Sequence, residues 1–425
     1  MRVLLVVGWL LAAQLAQAAV AFAVETDVDR LLEFLIKEKV LTQEKATEFR
    51  ADLAIKKQEE KQPTAVPDWV QNIKLKGDVR TRYEWDQNKG QADYNRARIM
   101  ARLGLEGKIN NKVKLGIGIA TGSSSDPRTS YVTLGSNVGQ ASTTNTPDSA
   151  KNVVLNYAYG EYTLFKGLRL IGGKFPDTIW RPTDSFWDTD INPEGAGINF
   201  DYKLNSKVGL FWNELLNVLR NDARTDQQVF MSVTQPGVTI AINDNINLKS
   251  ALAVNVFTNI KGATRFSTSA STNSVNTLTQ YKYNYNSFQP SAELSIKEPF
   301  GGLVPYAALF GDYVYNFSLP SSATGKGGYD FGLKFGDAKV QDWKKWQTKI
   351  IYSKLGRDAW LDIFPDSSRY SGKTNDQAIE AQFDFGLGKN TSLTLDYYYA
   401  RSLTKTSGAD RAAAQVLQLD WNLKF

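Results

Sequence analysis

From Ile73 to the carboxyl terminus, apolar and polar residues alternate one by one through successive stretches of the chain. The last stretch is the clearest. Leu417, Leu419, Trp421, Leu423 and Phe425 hold the odd positions, and Gln418, Asp420, Asn422 and Lys424 the even ones between them. A period of two is that of a β-strand, whose successive side chains point to opposite faces. Such a strand has one apolar and one wet face. From Ile73 to Asp86, Ile73, Leu75, Val79, Tyr83 and Trp85 share one face, and Lys74, Lys76, Asp78, Arg80, Arg82 and Glu84 the other. From Tyr94 to Lys108, Ala97, Ile99, Ala101, Leu103 and Leu105 oppose Arg96, Arg98, Arg102, Glu106 and Lys108. A soluble sandwich and a membrane-spanning barrel both use strands of this kind.

The connections separate the two. Short turns at 109–112, 166–167, 204–206, 243–245, 299–302, 337–342 and 388–390 alternate with longer connections at 87–93, 122–151, 176–194, 216–228, 259–285, 316–327, 355–375 and 403–412. Turns at one end and loops at the other are the layout of an outer-membrane barrel. Seven turns and eight loops join sixteen strands, an even number that leaves both chain ends on the turn side. The expected fold is all-β, a transmembrane antiparallel β-barrel of sixteen strands over residues 69–425. Residues 152–165 and 303–315 are ambiguous in face, so fourteen or eighteen strands remain open. Trp421, Leu423 and Phe425 on the closing strand form the expected assembly signal. The loops at 122–151 and 264–287, rich in Ser, Thr, Gly and Asn, are expected to be exposed and mobile.

The chain begins differently. Met1 and Arg2 precede an apolar run from Val3 to Leu11 and the small residues around Ala21 and Ala23. This pattern is a secretory signal over residues 1–23 with cleavage after Ala23, and Ala18 is the second choice. Residues 24–60 carry a helical period, with Val28, Leu31, Leu32, Leu35 and Ile36 on one stripe. After a break at Val40 and Leu41, Thr42 can cap a second helix bearing Ala46, Phe49 and Leu53. This leader is either a self-covering helical hairpin or a periplasmic oligomerisation or wall-tethering element. Pro63 and Pro67 mark a linker over 61–68.

Composition narrows the chemistry. The chain has no Cys and no His, which removes disulfides, thiolate and imidazole metal sites, and His-dependent nucleophiles. Aromatic residues make up 12% of the chain, yet mean hydropathy is −0.35, a combination that alternating lipid-facing strands produce. The net charge of +6 is small for 425 residues and gives no reason to expect nucleic acid as a partner.

The connection at 176–194 holds the most distinctive chemistry. Between Lys174 and Gly195 lie Asp177, Asp184, Asp188, Asp190 and Glu194, with Trp180 and Trp187. A loop this aromatic is expected to fold into the lumen and narrow it. Arg80, Arg82, Arg96, Arg98 and Arg102 would form the opposite wall, and the two sets of charge would filter solutes. Alternatively, the arginines pair across strands with Asp78, Glu84 and Glu106 as structural ladders. A calcium loop starting at Asp188 would place Pro193 where Gly is needed and Asn199 where Glu is needed. Paired carboxylates also suggest glycoside hydrolysis, but no second constellation accompanies them. No metal, cofactor or enzymatic activity is expected.

The segment from Phe186 through Trp187, Asp188, Thr189, Asp190, Ile191, Asn192, Pro193 and Glu194 to Gly195 resembles the central motif of the bacterial "putative porin" family. Leu31 to Leu35 and Val40 to Thr42 resemble the helical leader of its members, from which Lys39 and Lys45 depart. The resemblance implies a passive outer-membrane channel for ions and small hydrophilic solutes, assembled as a homotrimer. The other reading of the same barrel is a structural or receptor protein with functional external loops. A secreted β-protein binding glycan through surface Trp and Tyr is a third. Expected partners are the bilayer with its lipopolysaccharide, the barrel-assembly machinery and, through residues 24–60, peptidoglycan. Because the leader and the strands have different periods, residues 69–425 alone should refold in detergent with the β-sheet circular dichroism of the longer chain. Loss of that spectrum would make the leader part of the barrel.

Overall fold

The computed structural model describes residues 32, 35–37, 41–60, 70, 72–88, 92–135, 150–222, 227–266, 272–301, 304–404 and 413–425. The signal segment, the cleavage position, most of the first leader helix and the 61–68 linker lie outside the described residues. The chain divides into two units, Met1–Gln71 and Asn72–Phe425. The first contains helix α1, Gln43–Glu60. The Thr42 carbonyl accepts the first helical bond, from the Ala46 amide at 3.0 Å. Ala46 is buried, but Phe49 is 53% exposed, so the stripe drawn from the sequence is not fully covered. No described helix is long and apolar enough to cross a membrane.

The second unit is one closed antiparallel sheet. Its strands are β1 Lys74–Asn88, β2 Tyr94–Lys108, β3 Val113–Thr121, β4 Val132–Thr133, β5 Val153–Phe165, β6 Leu168–Lys174, β7 Glu194–Lys203, β8 Val208–Asp222 and β9 Gln227–Ala241. They continue as β10 Ile246–Thr258, β11 Ser287–Lys297, β12 Tyr306–Asn316, β13 Gly327–Gly336, β14 Trp346–Leu355, β15 Asp376–Gly388, β16 Thr391–Ser402 and β17 Ala413–Lys424. Sixteen form the barrel wall. The two-residue β4 belongs to the loop after β3 and pairs with β2 at Arg98 and Ile99, beyond the stretch that β3 occupies. The sixteen wall strands pair in sequence, with β3 on β5, and β1 pairs with both β2 and β17, which closes the ring. One connection differs from the sequence reading. The stretch 216–228 is mostly strand, because Leu215 and Asn217 keep pointing inward and pairing extends to Asp222 opposite Gln227.

The alternation places apolar side chains outside. Leu75, Leu103, Ile117, Leu309, Ile350, Leu395 and Leu419 are exposed, whereas their neighbours Gln418 and Asp420 are buried in the lumen. Rings gather in two outer bands. At the turn end, Phe165 meets Phe200, Phe335 meets Trp346, and Trp343 meets Phe385. At the loop end, Phe288, Tyr313, Tyr315, Tyr329, Phe331 and Tyr352 form a continuous run over β11–β14. Such girdles mark the two interfaces of an outer-membrane barrel.

The main hydrophobic cluster lies inside the ring. Inward residues of the β6–β14 side, among them Ile171, Leu215, Met231, Phe257 and Leu355, pack on loop residues. Phe175, Ile179, Phe186, Trp187 and Ile191 come from the loop between β6 and β7. Ile260, Tyr281 and Tyr285 come from the loop after β10, and Trp360, Leu361 and Phe364 from the loop after β14. The 264–287 segment therefore departs from its expected exposure, since Asn273, Tyr281 and Tyr285 are all buried. In the 122–151 loop, Arg128 and Tyr131 are buried as well, and residues 136–149 lie outside the described set.

The terminal residue completes the ring. Gly77 and Phe425 exchange backbone bonds at 3.0 Å in both directions. The Phe425 ring lies over Gly77, where an added Cβ would sit 2.3 Å from it. Removing Leu417 to Phe425 would unpair one edge of β1 and one of β16, and lipid cannot satisfy those backbone groups. The truncated protein should lose its heat-modifiable mobility in detergent electrophoresis. A truncated form that keeps it would show that β17 is not needed for closure.

Candidate functional site

The loop between β6 and β7 enters the lumen at a fixed base. Gly173 and Gly195 face each other across these strands, with φ of +120° and +152°. An added Cβ would fall 2.3 Å from the Ala158 carbonyl oxygen and 2.1 Å from that of Leu216, so only glycine fits. The Phe175 amide donates to the Pro193 carbonyl at 3.0 Å and closes the loop. Inside it, Asp177 accepts the Ile179 amide at 3.1 Å and Asp188 accepts the Asp190 amide at 2.9 Å, two side-chain-stabilised turns.

Aromatic packing then holds the loop against the one after β14. Trp187 stacks on Phe364 with centroids 4.3 Å apart and planes 12° apart. The Trp360 indole donates to the Phe186 carbonyl at 2.7 Å, and the Asp188 amide to the Phe364 carbonyl at 2.7 Å. Two buried arginines extend the joint. Arg369 donates to Asp376 at 2.6 Å and to the Ser185 carbonyl at 3.1 Å. Arg128 grips Asp126 with two bonds and donates to the carbonyls of Asp362 and Gly372, both at 3.1 Å.

This filling leaves a polar cavity of about 700 Å3 on the other side of the lumen. Strands β1, β2 and β14–β17 and the margins of the packed loops line it. Arg80, Arg82, Arg96 and Arg98 stand on one wall, and Asp184, Asp188, Asp190, Asp366, Asp384 and Asp396 elsewhere around it.

Within the arginine row, Arg82 makes two 2.7 Å bonds to Asp420 across the closing seam. Arg96 pairs with Glu84, and Arg98 reaches the same carboxylate at 3.2 Å. Arg102 binds Asp78 at 2.8 Å and Asp190 at 3.0 Å. Arg80 differs. It reaches the Tyr131 hydroxyl at 3.4 Å, its Nε lacks a partner, and no carboxylate among the described residues forms an ion pair with it. The Tyr131 ring lies beneath three of these cations, with Arg82 4.1 Å, Arg98 5.0 Å and Arg80 6.0 Å from its centroid. A ring face attracts cations and holds like charges together.

The acidic set divides similarly. Of the five loop carboxylates, only Asp190 bonds to the arginine row, and it also accepts the Ser130 amide at 3.0 Å. Asp177 pairs with Arg181, which lies over Trp187. Glu194 pairs with Lys174 at 2.8 Å on the outer side of β6 and β7 and does not line the cavity. Asp184 borders it. Asp188 is buried and accepts the Ser367 amide at 2.8 Å. The cross-strand pairs at Glu84 and Asp78 are those of the structural-ladder alternative, so most of the row is neutralised within the wall. No cluster of three metal-binding side chains occurs among the described residues.

Sequence reasoning missed Tyr131, Asp366, Asp384, Asp396 and Asp420. The last three lie on the polar faces of alternating strands and were legible there. Asp366 was not, although Trp360, Leu361 and Phe364 beside it carry the same aromatic signature that singled out the 176–194 loop.

A model of the family described as "Putative porin" matches residues 11–92, 85–292 and 312–425. The chain belongs to that family. Among solved structures, OprB of Pseudomonas putida, in a high-pH form, is 13% identical with a TM-score of 0.52, covering 84% of this chain and 95% of its own. A triple mutant of the Rhodopseudomonas blastica porin is 11% identical with a TM-score of 0.43, covering 83% and 100%. No curated protein sequence matches.

Burial raises both facing carboxyl groups of the packed loops. It pushes Asp366 up to about 7, with neighbouring Asp184 adding to the effect. It also raises Asp188 well above the ordinary range, where Asp366 and then Asp190 contribute. A raised carboxyl holds its proton in the packed state at pH values where the freed loop would release it. Packing is therefore favoured at low pH and loses stability as pH rises from about 4 to 7. Hydrogen exchange over residues 176–193, corrected for intrinsic rates, should be slower at pH 5.5 than at 8.5. Asp366→Asn should reduce that difference, leaving the part that Asp188 contributes. An unchanged difference in this variant would place the titrating group elsewhere.

Proposed function

We propose that this member of the "Putative porin" family is a passive outer-membrane channel for ions and small hydrophilic solutes, with passage confined to one side of its lumen. The observation that carries the reading is the division of the interior. Apolar loop packing occupies the β6–β14 side, while the remaining space is polar and lined by charge of both signs. An open lumen would sieve by width alone, whereas this geometry adds a fixed field. Arg80, which forms no ion pair with a described carboxylate, stands on β1, and Asp384 and Asp396 face the same cavity from β15 and β16. A receptor barrel could also pack its loops inward, but it would not conduct.

The outer wall favours assembly with further copies, as in the trimer that the family resemblance implies. The loop-end run of aromatics has no counterpart at that height on β3–β8, whose outward positions include Ile119, Leu155, Gly172, Ala196 and Leu216. Strand β6 has seven residues, enough at a 45° tilt for roughly 16 Å of an apolar band about 25 Å tall. Glu214 points outward at the seventh position of the fifteen-residue β8, held by Trp212 at 2.6 Å and Thr234 at 2.8 Å. A carboxylate at that height is costly against lipid and far less so against protein. We assign this sector to the contact between copies.

The channel should follow its unpaired charges. In a salt gradient across a planar bilayer, Arg80→Ser should move the reversal potential toward cations, and Asp384→Asn toward anions. Both shifts should shrink at 1 M salt, where the Debye length falls to about 3 Å. Normal conductance with an unmoved reversal potential in both variants would separate these residues from the conduction path. A parent protein that inserts without conducting would contradict the channel reading itself.

A further inference from the structure

We infer that the loop-end rim of β13–β16 is a docking site for the phosphate groups of a glycolipid in the membrane leaflet surrounding the barrel. The inference rests on the outer-membrane reading above, with the long loops outside.

The register builds the site. Tyr329 of β13 lies opposite Lys354 of β14, Lys354 opposite Gln377 of β15, and Gln377 opposite Arg401 of β16. Directly opposed residues share a face. This row points outward, because Tyr329, Lys354 and Arg401 are exposed and the alternating neighbours Asp330, Ser353, Asp376 and Ala400 are buried. Two cations thus stand two strands apart on the membrane side of the wall, roughly 10 Å from each other. The Gln377 amide lies within 2.7 Å of two nitrogens of the Arg401 guanidinium, and with its oxygen assigned to that side it accepts from both.

Height makes this row a headgroup site. Immediately below it on the same face lie Phe331, Tyr352, Ile379 and Tyr399, part of the loop-end aromatic band. Aromatic belts sit at the boundary between hydrocarbon and headgroups. Cations one step above that belt meet the headgroup layer, where anionic lipid favours each Lys or Arg.

The site continues as a concavity of about 770 Å3, to which Lys354, Gln377, Lys326 and Arg357 all contribute. Arg357 spends its donors on the Thr272 carbonyl at 3.3 Å and the Thr404 hydroxyl at 3.4 Å. Among the described residues, Lys326, Lys354, Arg357 and Arg401 form no ion pair with a carboxylate. The one acidic residue lining the concavity, Asp358, is already occupied by Ser274 and the Tyr285 hydroxyl. Among the described residues the site therefore offers four cations against the single carboxylate of Asp358, and phosphate oxygens supply the rest of the counter-charge.

The test uses the full mature protein in detergent with lipid A, compared with the same lipid lacking its phosphates, and with inorganic phosphate alone. Native mass spectrometry reads retained lipid. The parent should retain the phosphorylated lipid in preference to the dephosphorylated form. Lys354→Gln/Arg401→Gln should lose that retention by about tenfold or more, the scale expected from two headgroup cations. Inorganic phosphate should not compete at comparable concentration. Equal retention by parent and variant would overturn the inference. So would equal retention of both lipids, or competition by inorganic phosphate, which would make this a soluble-anion site. Bilayer conductance of the same samples keeps the two readings apart: a conducting variant without lipid retention supports docking, and a conducting parent without preference defeats docking alone.

Discussion

A backbone amide or carbonyl that faces hydrocarbon has no water to bond with, and leaving it unpaired costs several kcal/mol. A membrane-spanning sheet must therefore close on itself, and here closure is the pairing of β1 with β17 over eleven residue pairs from Asp78 to Asn88. Much of the interior is arranged around that seam. Arg82 and Asp420 meet across it, Tyr131 bonds to Asp420 and lies beneath Arg82, and the terminal Phe425 covers Gly77 at its lower end. Breaking such a buried pair from one side typically costs 3–5 kcal/mol, because a charge is left without a partner. The seam is thus fixed by backbone pairing and by lumen electrostatics together.

Closure creates an interior that must be either wet or filled, and this protein does both. The apolar residues of three loops find their core in the lumen, against inward Leu, Met, Phe and Val of the β6–β14 side. The stack of Trp187 on Phe364 and the bond from Trp360 to Phe186 join the loops to each other. The carbonyls bound by Arg128 and Arg369 are the polar groups such packing would otherwise strand. The wet side is left beside the seam, where buried pairs cancel most of the charge. Arg80 is left there without an ion pair to a described carboxylate, facing the carboxyl groups of β15 and β16.

The wall was legible in the sequence because a strand's period is two and its faces differ in solvent. Tyr83 and Glu84, or Trp421 and Asp420, declare opposite surfaces by composition alone. The alternation of turns and loops gave the sixteen wall strands. Partners across the closing seam were not legible, since they depend on which strands closure brings together. Arg82 and Asp420 lie 338 residues apart, and no local pattern links them. Loop packing was half legible. Trp180 and Trp187 marked one loop as unfit for water, and the same argument applied to Trp360 and Phe364 would have marked a second. The Ser- and Thr-rich 264–287 segment misled because Asn273, Tyr281 and Tyr285 are buried by contacts that reach across the chain, such as the bond between the Asn273 amide and Asp362.

The central claim is that solutes cross beside the seam and not through the centre of the ring. The chain has no Cys, so single cysteines can be placed on a clean background. Gln382 lines the polar cavity, and Met231 lies inside the apolar packing on the far side. A charged, water-soluble thiol reagent added during bilayer recording should reduce the current through Gln382→Cys and leave Met231→Cys unaffected. A current blocked through Met231→Cys and untouched through Gln382→Cys would place the path on the wrong side and contradict the account.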